Sequence, residues 1–194
     1  MSISDRRFNL VLSLGGSCFS AKNIDYRKLR YCSLPFDWFF IKDDTPIKML
    51  SECFKNDFVD FMQQKNLVEL MDDERGDDGN NHWQCKDLYS HYRIIHVFKK
   101  SANNNNEYKK RKFEIDRKIK RLYKILEKSN SIMLVVDSTC PIKVEYLQEL
   151  ANTLKKKFKI VDVEIHHVYF CADDDNDVQA AEDIYVHKIK RDRM

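Results

Sequence analysis

Hydrophobic positions along the chain fall into short runs and helical stripes that alternate. Asn9-Leu-Val-Leu-Ser-Leu14 is an apolar run closed by Gly15-Gly16, the pattern of a buried strand that ends in a tight turn. From Ser17 to about Arg30, Phe19, Ile24 and Leu29 are spaced among polar residues, which predicts a helix with Ser17 as its cap. Thr45-Pro46 starts another helix, with Ile47, Leu50 and Phe54 on one face. Phe58, Phe61, Met62, Leu67 and Leu70 predict that helical structure continues over residues 57–70. Residues 71–82 read as a polar loop, Tyr89–Phe98 as a strand and Asn103–Asn106 as a second loop. A long helix from about Glu107 to Lys128 carries the stripe Ile115, Ile119, Leu122 and Leu126. Ile132–Val136 is β-branched and almost wholly apolar, the mark of a strand buried on both faces. Pro141 opens a helix whose core face is Val144, Leu147, Ala151, Leu154 and Phe158. Ile160–Phe170 and Ile184–Ile189 alternate as strands around an acidic loop at 172–177.

Strands that alternate with helical crossovers predict an α/β fold, mainly a parallel sheet with helices on both faces. The expected organisation is a single domain over residues 1–194, with a helical insertion at about 45–70 after the first unit. The chain's 194 residues are 43% hydrophobic and 12% aromatic, which excludes a disordered or collagen-like chain. No apolar run reaches the ~18–20 residues that a membrane span needs. The formal charge of +3 is too nearly balanced to imply nucleic acid, and no nucleic-acid motif is present. The start of the chain lacks the features of a signal peptide. Six widely spaced cysteines are therefore expected to be reduced thiols, consistent with a cytoplasmic location.

In open parallel sheets, ligands bind beyond the carboxyl ends of the strands. That rule singles out Cys18, His96 and Asp137. Cys18 follows Gly15-Gly16-Ser17 in the first turn of a helix, where a thiolate is favoured. In that chain order the three can form a nucleophile, a general base and an orienting carboxylate. Each also has a plainer role: Cys18 as a small buried residue, His96 as a core histidine, Asp137 as a cap at a helix start.

The segments Ser13-Leu14-Gly15-Gly16-Ser17-Cys18 and Ser33-Leu34-Pro35-Phe36-Asp37-Trp38 carry a resemblance. Together with Arg30, Ile94-Ile95-His96-Val97-Phe98, Arg117-Lys118-Ile119-Lys120-Arg121 and Leu134-Val135-Val136, they resemble a bacterial family of unknown function described as papain-like cysteine peptidases. The resemblance spans residues 9–137 and implies thiol chemistry at Cys18 with His96, more directly than it implies a peptide substrate. Within Pro35-Phe36-Asp37-Trp38, Phe36 and Trp38 are expected to pack. Asp37, if buried, must be paired; it would orient His96 in place of Asp137, or hold Arg30.

Other patterns add less. His82 with Cys85, or His91 with His96, lack a second pair at zinc spacing, so no metal is expected, and no cofactor is implied. Asp173–Asp177 lacks the glycine and glutamate of a calcium loop. His166 and His167 are adjacent on a strand and face opposite ways. The nine lysines and arginines between Lys109 and Lys124 read as the solvated face of the long helix, with an anionic partner as the other use of that charge.

The leading reading is a cysteine-dependent hydrolase or acyl transferase acting on a peptide, amide or ester. Cys18 would be the nucleophile and His96 the base. Gly15, Gly16 and Ser17 would line the substrate site with Trp38, and the N–H groups of Gly16–Cys18 would form the oxyanion site. The alternative is a non-catalytic module that binds an anionic ligand or a protein partner.

Overall fold

The computed structural model of the chain describes residues 8–71, 81–100, 105–171 and 176–190. In chain order the elements are β1 (Leu10–Ser13), α1 (Cys18–Tyr26), β2 (Phe39–Phe40), α2 (Thr45–Lys55), β3 (Leu67–Glu69), β4 (His82–Asp87), β5 (Arg93–Lys99), α3 (Asn105–Leu126), β6 (Ser131–Ser138), α4 (Val144–Phe158), β7 (Asp162–Cys171), β8 (Asn176–Ala181) and β9 (Ile184–Lys190). The larger sheet has the order β1-β6-β7-β9-β8 and is parallel except at its edge, where β8 pairs antiparallel with β9. The smaller sheet, β2-β5-β4-β3, is antiparallel. The fold is thus α/β with a mostly parallel principal sheet, and one apolar cluster runs through both sheets.

The strand that carries His96 departs from the expected arrangement. β5 lies in the antiparallel sheet, paired with β4 on one side and β2 on the other. Its partner β4 starts at His82, the last residue assigned above to a polar loop. Trp83-Gln84-Cys85 alternates too weakly to announce a strand without that partner. β8 likewise begins within the residues read as an acidic loop.

The insertion also differs. Left-handed backbone at Asp57, Phe58 and Met62 breaks the helix after Lys55. Turns follow, then a 3-10 turn at Gln64–Asn66 and β3. Phe58, Phe61 and Met62 are nonetheless buried, so the periodicity there marks core contact without marking a helix. β6 buries Ile132, Leu134 and Val136 but leaves Met133 and Val135 half-buried. α1 packs chiefly on β1 and β6. α4 starts at Val144, with Lys143 extended before it.

α3 buries its predicted stripe of Ile115, Ile119, Leu122 and Leu126. Its basic residues divide. Lys109, Lys110, Arg117, Lys120 and Lys124 are exposed, whereas Arg111, Lys112, Lys118 and Arg121 are half-buried. Arg111 pairs with Glu107 and Glu114, and Lys112 with Asp116.

The two sheets are joined at Tyr92. Its ring is fully buried, stacked on Phe36 at 5.9 Å between centroids and tilted against Phe39 at 5.5 Å. Its hydroxyl donates to the Leu14 carbonyl at 2.8 Å, the last carbonyl before the Gly15-Gly16 turn. Burial pushes the phenol well above its ordinary range, so it stays a donor. Tyr92→Phe should therefore leave a buried carbonyl unsatisfied and lower unfolding free energy by about 1–2 kcal/mol in urea denaturation.

Candidate active site

The first turn of α1 is shaped by two glycines. Gly15 and Gly16 have φ of +88° and +114°, the left-handed region that favours glycine. A Cβ on Gly16 would overlap the Asp137 carbonyl oxygen, and one on Gly15 would sit 2.8 Å from the Phe39 carbonyl oxygen. The reversal is fixed on both sides: Gly16 N–H donates to Phe39 O at 2.9 Å, and Ile41 N–H donates to Gly16 O at 3.2 Å. Ser17 then caps α1, its Oγ accepting from Phe19 N–H at 3.0 Å, and Cys18 is the first helical residue.

Asp137 secures this turn from β6. Its carboxylate is 2% exposed and accepts from the hydroxyls of Ser17 and Ser20 and, at 3.3 Å, from the Ser17 N–H. It does cap a helix start, as one plain reading had it, but the helix is α1 and not the one that follows it in sequence. The donors of the turn are consequently mostly committed. Gly15 N–H bonds Ser13 Oγ, Gly16 N–H bonds Phe39 O, and Ser17 N–H bonds Asp137. The oxyanion site expected at Gly16–Cys18 narrows to the N–H of Cys18, one of the first-turn donors that a helix cannot satisfy internally.

His96 stands in the middle of β5, not at the end of a parallel strand, so the strand-end argument does not reach it. Its ring packs against Phe40 at 5.7 Å and meets the His82 ring edge-on at 5.6 Å. It lines a cavity of about 340 Å³ with Pro35, Trp38, Phe39 and His82. Cys18 is not among the lining residues. Phe40 connects the two places, because its backbone bridges Gly16 while its ring touches His96.

Neither aspartate serves His96 in the manner expected. Asp37 Oδ2 accepts from Arg30 Nη2 at 2.5 Å and from Leu34 N–H at 2.8 Å, the alternative in which it holds Arg30. Asp137 is held by Ser17 and Ser20. Pro35-Phe36-Asp37-Trp38 is thus divided by position: Phe36 is core, Asp37 braces the turn, and Trp38 faces the cavity.

Beside Asp137, Ser138 Oγ donates to Cys140 O at 2.5 Å and lies 2.7 Å from His167 Nε2. The hydroxyl proton is used, so His167 must carry its hydrogen on Nε2. Its Nδ1 is buried and has no partner among the described residues. Burial, aided by the charge of His187, holds the imidazole down at about 4. On the opposite face His166 bonds Glu164 at 2.6 Å and His187 at 2.8 Å, as the alternation of a strand requires. Among the described residues no group of three side chains is arranged to hold a metal. Asp173–Asp175 lie outside the described residues. Cys18, Cys32, Cys53, Cys85 and Cys140 are free thiols. Burial pushes those of Cys53, Cys85 and Cys140 up.

The family model described as "Putative papain-like cysteine peptidase" matches residues 9–171, which include Cys18, Asp37, Trp38, His96 and Asp137. The chain belongs to that family. No curated protein and no solved structure matches it. No helix among the described residues is long and apolar enough to cross a membrane.

Ser20 and Tyr92 are site residues that the sequence reading missed. The spacing Ser17-x-x-Ser20 does put two hydroxyls on one face of a first helical turn, a signal visible in the sequence. Tyr92 gave none, because its partner is a main-chain carbonyl 78 residues away.

Gly16→Ala should displace the turn from Asp137 and abolish any selective reactivity of Cys18, as measured by alkylation and mass spectrometry, while far-UV circular dichroism still reports a folded chain. His167 supplies a pH dependence. Its folded value of about 4 lies below the ordinary 6.5, so the unfolded chain binds the proton more readily between those values. Its contribution is complete above about pH 6.5 and is lost as pH falls toward 4, by up to about 3 kcal/mol. Thermal melts should show this loss, and His167→Gln, which keeps a donor for Ser138, should flatten it.

Proposed function

We propose that the protein is a cysteine-dependent hydrolase or acyl transferase with Cys18 as its nucleophile and His96 as its general base. The observation that carries this reading is the position of Cys18 as the first residue of α1, in a turn that the glycines and Asp137 hold in one shape. The thiolate attacks an acyl carbon and the carbonyl oxygen takes up the electron pair, facing the Cys18 N–H. Collapse of that adduct expels the leaving group, which receives the thiol proton by way of His96. Water or another acceptor then takes the acyl group and frees the sulfur. Asp137 acts as a positioning residue: it fixes where the thiol and its N–H stand and touches no substrate. Phe40 touches both His96 and the turn, its ring packing on the imidazole and its backbone bridging Gly16. Trp38, on the same cavity wall as His96, is a surface for the substrate's body.

An activated acyl ester such as p-nitrophenyl acetate, with a panel of peptide, amide and thioester substrates, tests the reading. The wild type should release a burst of leaving group and accumulate an acyl-enzyme on Cys18, detected by intact mass. Cys18→Ala should abolish both, and His96→Gln should slow acylation by about 10²–10⁴. Undiminished turnover in Cys18→Ala would refute the assignment.

A further inference from the structure

The cavity lined by His96 has a charge that the thiol chemistry does not use. Its wall combines β4 and β5, through His82, His96, Val97 and Lys99, with one side of α3, through Arg111, Glu114, Ile115 and Lys118. Pro35, Trp38 and Phe39 close it. Three of these residues are cations and one is an anion. The guanidinium of Arg111 is answered by two carboxylates, Glu107 and Glu114, each at 2.9 Å. Lys118 is different. It is half-buried, and among the described residues no carboxylate lies within ion-pairing distance of it. Asp37 and Glu114 attract it from further away, but Asp37 is bonded to Arg30 and Glu114 to Arg111, and Arg30 and Arg121 oppose the ammonium. Burial is the largest influence and holds the Lys118 ammonium below its ordinary range. A cation withdrawn from water without a counter-charge in contact is costly unless something supplies one.

Much of the remaining lining is aromatic. Trp38 contributes an indole, and the imidazoles of His82 and His96 stand perpendicular to each other. At about 340 Å³ the space matches a small molecule and not a chain segment of many residues.

We propose that this cavity is a binding site for a small oxyanion, phosphate or carboxylate, carried on a planar ring, with the charge against Lys118 and Lys99 and the ring on Trp38. The binding needs no bond to Cys18. It shares His96 with the reaction proposed above and is tested apart from it, in the full-length Cys18→Ala protein.

Isothermal titration of Cys18→Ala with phenyl phosphate, benzoate, phenol and inorganic phosphate separates the contributions. Phenyl phosphate or benzoate should bind at least about tenfold tighter than phenol, which lacks the charge, and than inorganic phosphate, which lacks the ring. Preference between the two ring-bearing anions identifies the oxyanion. Raising salt from about 50 to 500 mM should weaken them and leave phenol unchanged. Lys118→Gln should cost about tenfold in affinity, whereas Glu114→Gln should tighten binding several-fold by removing the one lining carboxylate. Opposite signs at two positions one helical turn apart are not what loss of structure produces. Equal affinity for phenyl phosphate, benzoate and phenol, or salt-independent binding of the anions, overturns the proposal even if a variant fails to fold. Failure of the wild type to form an acyl-enzyme, with binding intact in Cys18→Ala, would condemn the thiol mechanism and leave the cavity assignment standing.

Discussion

The buried carboxylate of Asp137 is the constraint on which the rest of the site depends. It lies at the end of β6, and among the described residues its carboxylate is held by Ser17 and Ser20, at the cap and in the first turn of α1. A charge this well buried is tolerable only when donors surround it, and Ser17 and Ser20 supply them. The consequence runs in both directions. The serines neutralise the burial cost of the carboxylate, and the carboxylate fixes the helix start, with Cys18 between the two serines in sequence. Gly16 is the steric condition for the contact, since any side chain there would occupy the space of the Asp137 carbonyl. Two strands adjacent in the sheet, far apart in sequence, thereby define the position of one sulfur.

The second sheet is attached to this arrangement by a few side chains. Tyr92 holds the Leu14 carbonyl, Phe39 accepts from Gly16, and Phe36 fills the space between them. The Pro35–Trp38 segment therefore does two kinds of work. Its buried phenylalanine and its Asp37–Arg30 pair brace the junction, while Trp38 remains at the edge of the cavity where His96 and Lys118 also stand. α3 closes that cavity with the half-buried part of its basic face, so the helix that buries the apolar stripe also sets the cavity's charge.

Much of this was legible in the sequence where one side chain type has one physical use. The apolar run before Gly15-Gly16, the stripe of α3 and the alternation of β7 each predicted their element because burial sets their period. Ser17 as a cap and Cys18 in the first turn followed from local rules. What the sequence did not disclose depends on partners. β4 is a strand because β5 lies beside it, and the polar residues at its start hide that. Residues 57–70 carry a helical spacing of core residues, yet left-handed backbone at Asp57, Phe58 and Met62 turns them into bends that bury the same side chains. The placement of His96 in an antiparallel sheet, and the commitment of Asp37 and Asp137 to other partners, are likewise products of pairing and not of spacing.

The central claim is that Asp137 holds Cys18 in a reactive position, and the rate of thiol alkylation tests it most directly. Iodoacetamide labelling near neutral pH, followed residue by residue by mass spectrometry, compares Cys18 with Cys32, a thiol of similar intermediate burial. Selective labelling of Cys18 that falls to the rate of Cys32 in a folded Asp137→Asn protein is the predicted result. Equal rates for Cys18 and Cys32 in the wild type, or a Cys18 rate indifferent to Asp137→Asn, would contradict the account.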